Sequence, residues 1–159
     1  MSDLPEIRVR PMTPEEYAAW KEHSLAEYAV EVAEARGIPV PDARRIADES
    51  HGRYLPDGQA TAGVHIVIGE DSAGARVGIL WVGPNPNGVG PAWVYDIEVE
   101  ESRRGEGWGR ALMLEAERLA RGDGHAEIGL NVFGSNAVAR RLYESLGYAT
   151  SSIQMRKPL

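Results

Sequence analysis

The chain has 159 residues, 43% hydrophobic and 26% charged, with a formal net charge of −7 and no cysteine. That is enough chain for one domain with a proper core, and the missing cysteine excludes disulfides, thiolate metal ligands and a cysteine nucleophile. The acid excess and the scattered pairs Arg44-Arg45, Arg103-Arg104 and Arg140-Arg141 give no basic face for nucleic acid, and no apolar run or signal-peptide pattern suits a membrane. The expectation is a single cytoplasmic domain over residues 1–159. An acidic surface favours a cationic small molecule such as an amine, although acid excess serves solubility equally well.

Ile7-Arg8-Val9-Arg10 alternates and predicts a first strand. Thr13-Pro14-Glu15-Glu16 predicts a helix start, with Thr13 as N-cap and Glu16 as its capping-box partner. That helix runs to about Ala35, where Gly37 and Pro39 stop it, and a second follows Pro41-Asp42 and ends near Arg53. Val64–Ile68 and Val77–Val82 read as strands joined by a turn at Glu70–Gly74, and Gly83–Gly88 reads as a loop. A fourth strand, Trp93–Val99, leads to the turn Arg104-Gly105-Glu106-Gly107-Trp108-Gly109 and a third helix from Arg110 to about Gly122. Glu127–Phe133 predicts a fifth strand, Ser135 or Asn136 caps a fourth helix closing at Gly147, and Tyr148–Met155 predicts a last strand. The order is β-α-α-β-β-β-α-β-α-β, a three-layer α/β or α+β sheet domain.

The glycine turn carries the first chemical signal. Glycines let the backbone approach a ligand and adopt φ > 0 freely. The first helical N–H groups lack internal partners and mark the positive end of the helix dipole. A phosphate or pyrophosphate suits such a cradle. The quieter explanation is an ordinary turn before a helix, since Gly105-x-Gly107-x-Gly109 lacks the dinucleotide spacing.

Arg104-x-x-Gly107-x-Gly109 and the run Asn136-Ala137-Val138-Ala139-Arg140-Arg141-Leu142-Tyr143-Glu144-Ser145-Leu146-Gly147-Tyr148 stand in order with a strand between them. Together they resemble the pyrophosphate loop and the Asn-to-Tyr helix of the GNAT superfamily of acyl-CoA-dependent N-acyltransferases. The resemblance implies a mixed, mostly antiparallel sheet flanked by helices and splayed between its fourth and fifth strands. It implies acetyl-CoA as cosubstrate, with the amides of Gly105, Glu106, Gly107, Trp108, Gly109 and Arg110, beside Arg104, holding the pyrophosphate. Main-chain groups of Ile97 and Val99 would bond pantetheine like an added strand, with Asn131, Asn136 and Ala139 along its path.

Direct transfer to an amine follows from the resemblance. Backbone N–H near Val99 would polarise the thioester carbonyl, and Tyr143 would protonate the departing sulfur. Glu98, and after it Asp96, are candidates for the base, because both alternate with Ile97 and point to the opposite side of the strand. The ordinary alternatives stay open at this point. Tyr143 also suits core packing, Asn136 a simple helix cap, and the carboxylates a solvated strand face.

Arg140 and Arg141 suit either CoA phosphates or a solvated face. His65 reads as a satisfied core histidine, and His23, His51 and His125 lack metal-ligand spacing, so no metal is expected. Trp20, Trp81 and Trp93 read as core or cleft wall, and Trp108 as packed under the turn. A non-catalytic acyl-CoA-binding regulatory module on the same fold is the competing function, and a nucleotide-binding protein unrelated to CoA the third. The short C-terminal segment is compatible with a homodimer in which a partner subunit completes the acceptor wall. The acceptor itself is an unidentified amine.

Overall fold

A computed structural model describes residues 4–159. The elements are β1 (Arg8–Pro11), α1 (Pro14–Arg36), α2 (Val40–Tyr54), β2 (His65–Glu70), β3 (Arg76–Gly83), β4 (Ala92–Val99), α3 (Trp108–Gly122), β5 (Ile128–Leu130) and α4 (Ala137–Ser145). The sheet has five strands in the order β1-β2-β3-β4-β5. Its first three pairings are antiparallel and the β4–β5 pairing is parallel.

Both faces are covered. Trp20, Leu55, Ile66, Ile68, Ile79 and Trp81 pack between the sheet and the first two helices. Val67, Leu80, Val82, Val94, Leu112 and Met113 form the core on the α3 side, with Tyr143 and Leu146 of α4 packed against it. Successive strand residues point to opposite faces, which is why Ile79 and Leu80 fall in different cores.

Helix α1 begins as its sequence dictates. Thr13 accepts from the Glu16 amide at 3.2 Å and the Glu16 carboxylate accepts from the Thr13 amide at 2.8 Å, satisfying two otherwise unpaired donors. It ends at Gly37, whose φ of 66° is left-handed.

One irregularity shapes the molecule. Trp81 pairs with Asp96, but Val82 pairs with Val94, so Tyr95 is an extra residue on β4. Such a bulge bends a strand and interrupts pairing. It also places neighbours on one face: Tyr95 stacks on Trp81 at 4.5 Å and Asp96 accepts from the Trp20 indole at 3.0 Å. The parallel pairing to β5 covers only Ala92, Trp93 and Val94. Beyond it the two strands part.

Two expectations fail at the C-terminal side. The fifth strand is Ile128–Leu130 alone, shorter than the Glu127–Phe133 expected, because its partner bends away. The last strand expected over Tyr148–Met155 is absent, and these residues have no regular structure. Thr150-Ser151-Ser152 provides no apolar face to dock on the sheet, and Arg156 instead donates to the Glu34 carbonyl of α1 at 3.0 Å.

Candidate active site

The glycine turn stands where β4 hands the chain to α3. Gly105 and Gly107 have φ of 79° and 92°, a region that L side chains rarely adopt. Gly107 occupies the N-cap position of α3, with no side-chain cap hydrogen bond. Among the described residues the helix therefore presents its first amides without a side-chain cap, in contrast to the doubly capped α1. This is the donor set an anionic group requires.

The turn's side chains hold its shape. Trp108 is buried, donates from its indole to Glu106 at 2.8 Å and lies 5.1 Å under the Arg103 guanidinium. The same Glu106 accepts from Arg103, and these bonds hold its carboxyl below the usual carboxylate range. Arg110 is committed to Ser145 of α4. A Cβ on Gly109 would meet Leu142 of α4 at 3.2 Å, so the turn abuts the helix that carries Tyr143.

Main-chain groups complete this side of the site. The Glu100 amide donates to Val77 of β3 at 2.9 Å. Antiparallel alternation then turns the main chain of Glu98 toward β3 and that of Ile97 and Val99 into the gap beside β5. The Val99 carbonyl accepts there from the Arg104 side chain at 3.3 Å.

An open cleft of about 1560 Å³ lies beyond the gap, with Glu31, Trp93, Asn131, Phe133, Asn136 and Tyr143 on its walls. Asn136 accepts from the Ala139 amide at 3.1 Å, which makes it the N-cap of α4. Asn131, Asn136 and Tyr143 are thus brought together, whereas the glycine turn stands apart, across Leu142.

The two carboxylates of β4 have different surroundings. Glu98 is well exposed and lies 3.0 Å from His23 Nε2. Asp96 is shielded under α1, where Trp20 donates to it and Ser24 lies beside it. Desolvation pushes its carboxyl above the usual range, with the Glu98 charge adding to the effect against those hydrogen bonds.

Burial raises the Tyr143 phenol, and the charges of Asp96 and Glu31 raise it further. Tyr143 is therefore a protonated hydroxyl with carboxylates nearby. Glu31, on α1, was not singled out in the sequence. The only signal was its spacing with Glu27 and Glu34 on one helix face, a pattern shared by any solvated helix.

His65 pairs with Asp123 at 2.7 Å. His51 is buried beside Trp20 and Trp81. No group of three or more His, Cys, Asp or Glu among the described residues is arranged to hold a metal ion.

A sheet opened between a glycine-turned helix start and a half-buried tyrosine is the frame of an acyl-group transferase. Residues 31–148 match the Acetyltransferase (GNAT) family, and the chain belongs to it. It is 29% identical over 154 residues to YycN of Bacillus subtilis, named an uncharacterized N-acetyltransferase, covering 96% of this chain and 99% of that one. The crystal structure of YycN superposes with a TM-score of 0.86 over 97% of this chain and 99% of its own. YdgE of the same organism, also named an uncharacterized N-acetyltransferase, is 27% identical over 149 residues, 93% of this chain and 95% of its own. The fold is shared with AAC(6')-Iy, solved with a CoA bisubstrate analogue, at 16% identity and a TM-score of 0.60 over 97% of this chain and 99% of that one.

Proposed function

We propose that the protein transfers an acetyl group from acetyl-CoA to a primary amine of a small molecule or peptide. The observation that carries this reading is the protonated, half-buried Tyr143 on the cleft wall beside an opened sheet edge. The pyrophosphate would sit on the amides from Gly105 to Arg110, and pantetheine would bond the main chain of Ile97 and Val99 in the gap. Asn131, Asn136 and Ala139 would border its path.

The amine nitrogen attacks the thioester carbonyl carbon and the carbon–sulfur bond breaks. A carboxylate takes the proton the ammonium must lose, and Tyr143 gives its proton to the thiolate. Of the two β4 carboxylates, the surroundings favour Asp96. It is desolvated and within the field of Tyr143, whereas Glu98 faces His23 and water. A raised carboxyl is a stronger proton acceptor at neutral pH.

Thiol release from acetyl-CoA across an amine panel tests the reading, in the wild type and in Tyr143→Phe. The expected result is turnover with at least one amine and a fall in kcat of about 10²- to 10⁴-fold in the variant, with acetyl-CoA still raising Tm. Acetyl-CoA binding without turnover of any amine would instead favour a non-catalytic acyl-CoA-binding module.

A further inference from the structure

We infer that Arg103 is the positioning residue of the pyrophosphate cradle: it latches the glycine turn to the β2–β3 hairpin and so holds the amides from Gly105 to Arg110 ready for the donor. The inference rests on the acetyl-CoA reading above and adds to it a residue that acts through the turn.

The turn needs such a support. Gly105 and Gly107 both sit at positive φ, and glycine leaves a loop many other conformations to visit. Apart from its chain neighbours, no described residue lies within 4 Å of where a Cβ on Gly105 would stand. Donors already in place bind an anion better than donors that must first be ordered.

Arg103 fixes the turn from three directions. It closes one turn of 3-10 helix, Glu101–Arg103, where its amide donates to the Glu100 carbonyl at 2.8 Å. Its Nε donates to Glu106, inside the glycine turn, at 3.1 Å, and its guanidinium stacks over the Trp108 ring at the first residue of α3. Its Nη1 donates at 3.0 Å to Asp71, 32 residues earlier in the chain. A guanidinium offers both the fork and the flat face that these contacts use, which an ammonium does not.

The far anchor is firm. Asp71 stands in the turn between β2 and β3, and its Oδ1 accepts from the Ala73 and Ala75 amides at 3.0 and 2.9 Å. Its Oδ2 receives Arg103. Ile68 and Val77, on the two strands of that hairpin, are fully buried. The Arg103 and Asp71 side chains are only 25% and 17% exposed, which spares their pair much of the screening felt at an open surface.

Asp71→Asn isolates the latch. The amide keeps an oxygen for Ala73 and Ala75 and loses the acceptor that Arg103 uses. By charge alone, removal of an acid should tighten the binding of an anion. Loss of the latch should weaken it, so the two effects have opposite signs.

CoA and pantetheine, which lacks the pyrophosphate, are the probes. Calorimetry reads the Kd for CoA, and a thermal-shift titration reads the response to pantetheine. Arg103→Ala should raise the CoA Kd about 10-fold and Asp71→Asn about threefold or more. The double variant should be no weaker than Arg103→Ala, because both act through one contact. The pantetheine midpoint should stay within about twofold throughout. Arg118→Ala removes an arginine farther along α3, paired with Glu115, and should leave both ligands unchanged.

An unaltered CoA Kd in Arg103→Ala, equal losses for the two ligands, or tighter CoA binding by Asp71→Asn would overturn the assignment. If Arg103→Ala fails to fold, the sign of the Asp71→Asn effect decides. A wild type that binds CoA no more tightly than pantetheine would overturn the cradle and the latch together, a result distinct from a cradle that works without Arg103.

Discussion

Asp96 shows how much one residue's surroundings decide. Its carboxyl is raised, so the folded state binds a proton more tightly than the unfolded chain does. The sign follows directly: stability falls as pH rises from the unfolded value through the raised one, and at neutral pH the ionised form opposes folding. Asp96→Asn keeps an oxygen for the Trp20 indole while removing that charge. The expected outcome is a higher Tm at pH 7 than the wild type, read by thermal denaturation, together with a large loss of turnover. A Tm unchanged or lowered would remove the argument that this group is held at a cost to stability. The sequence showed that Asp96 and Glu98 share a face of β4 opposite Ile97. It ranked Glu98 first, whereas the surroundings favour Asp96, because they depend on Trp20 and Ser24, distant in the chain and brought over Asp96 only by the docking of α1.

At the scale of elements, the glycine turn and the capping box were legible because their signals are local. Thr13, Glu16, Gly105 and Gly107 stand where their backbone chemistry requires. Gly107 is the most exacting of them. A Cβ there would face both a φ of 92° and the Pro5 ring at 3.3 Å. Gly107→Ala should cost about 1 kcal/mol from the positive φ, a fall of about 2–4 °C in Tm for a chain of this size. Because the strain sits at the N-cap of α3, the acetyl-CoA Kd measured by calorimetry should rise as well. The last strand was misread because Tyr148–Met155 carries strand-forming residues without a docking face, and its fate is decided by Arg156 reaching α1.

For the whole molecule, the aromatic layer under α1 and α2 sets the response to acid. His51 is buried against Trp20 and Trp81, and among the described residues its Nδ1 has no hydrogen-bond partner, nor does the Trp81 indole. Desolvation lowers the imidazole from 6.5 to about 4. The unfolded chain therefore takes up a proton that the folded chain refuses, and stability should fall as pH drops from 6.5 toward about 4, by on the order of 3 kcal/mol in all. Urea denaturation across that window should show the slope in the wild type and a flatter profile in His51→Phe. Equal slopes would place the acid sensitivity elsewhere.

The layered architecture, with helices on both faces and the sheet parted between β4 and β5, agrees with the sequence reading and with the fold of YycN. The parting depends on Tyr95, the residue by which β4 exceeds its neighbour. Without it the strand would run straight, and β5 could zip along its whole length, filling with its own backbone the slot that a ligand would enter. Substitutions around the cleft change which molecule is received. A chain one residue shorter at this point would receive none, so β4 should tolerate changes of letter far better than a change of count.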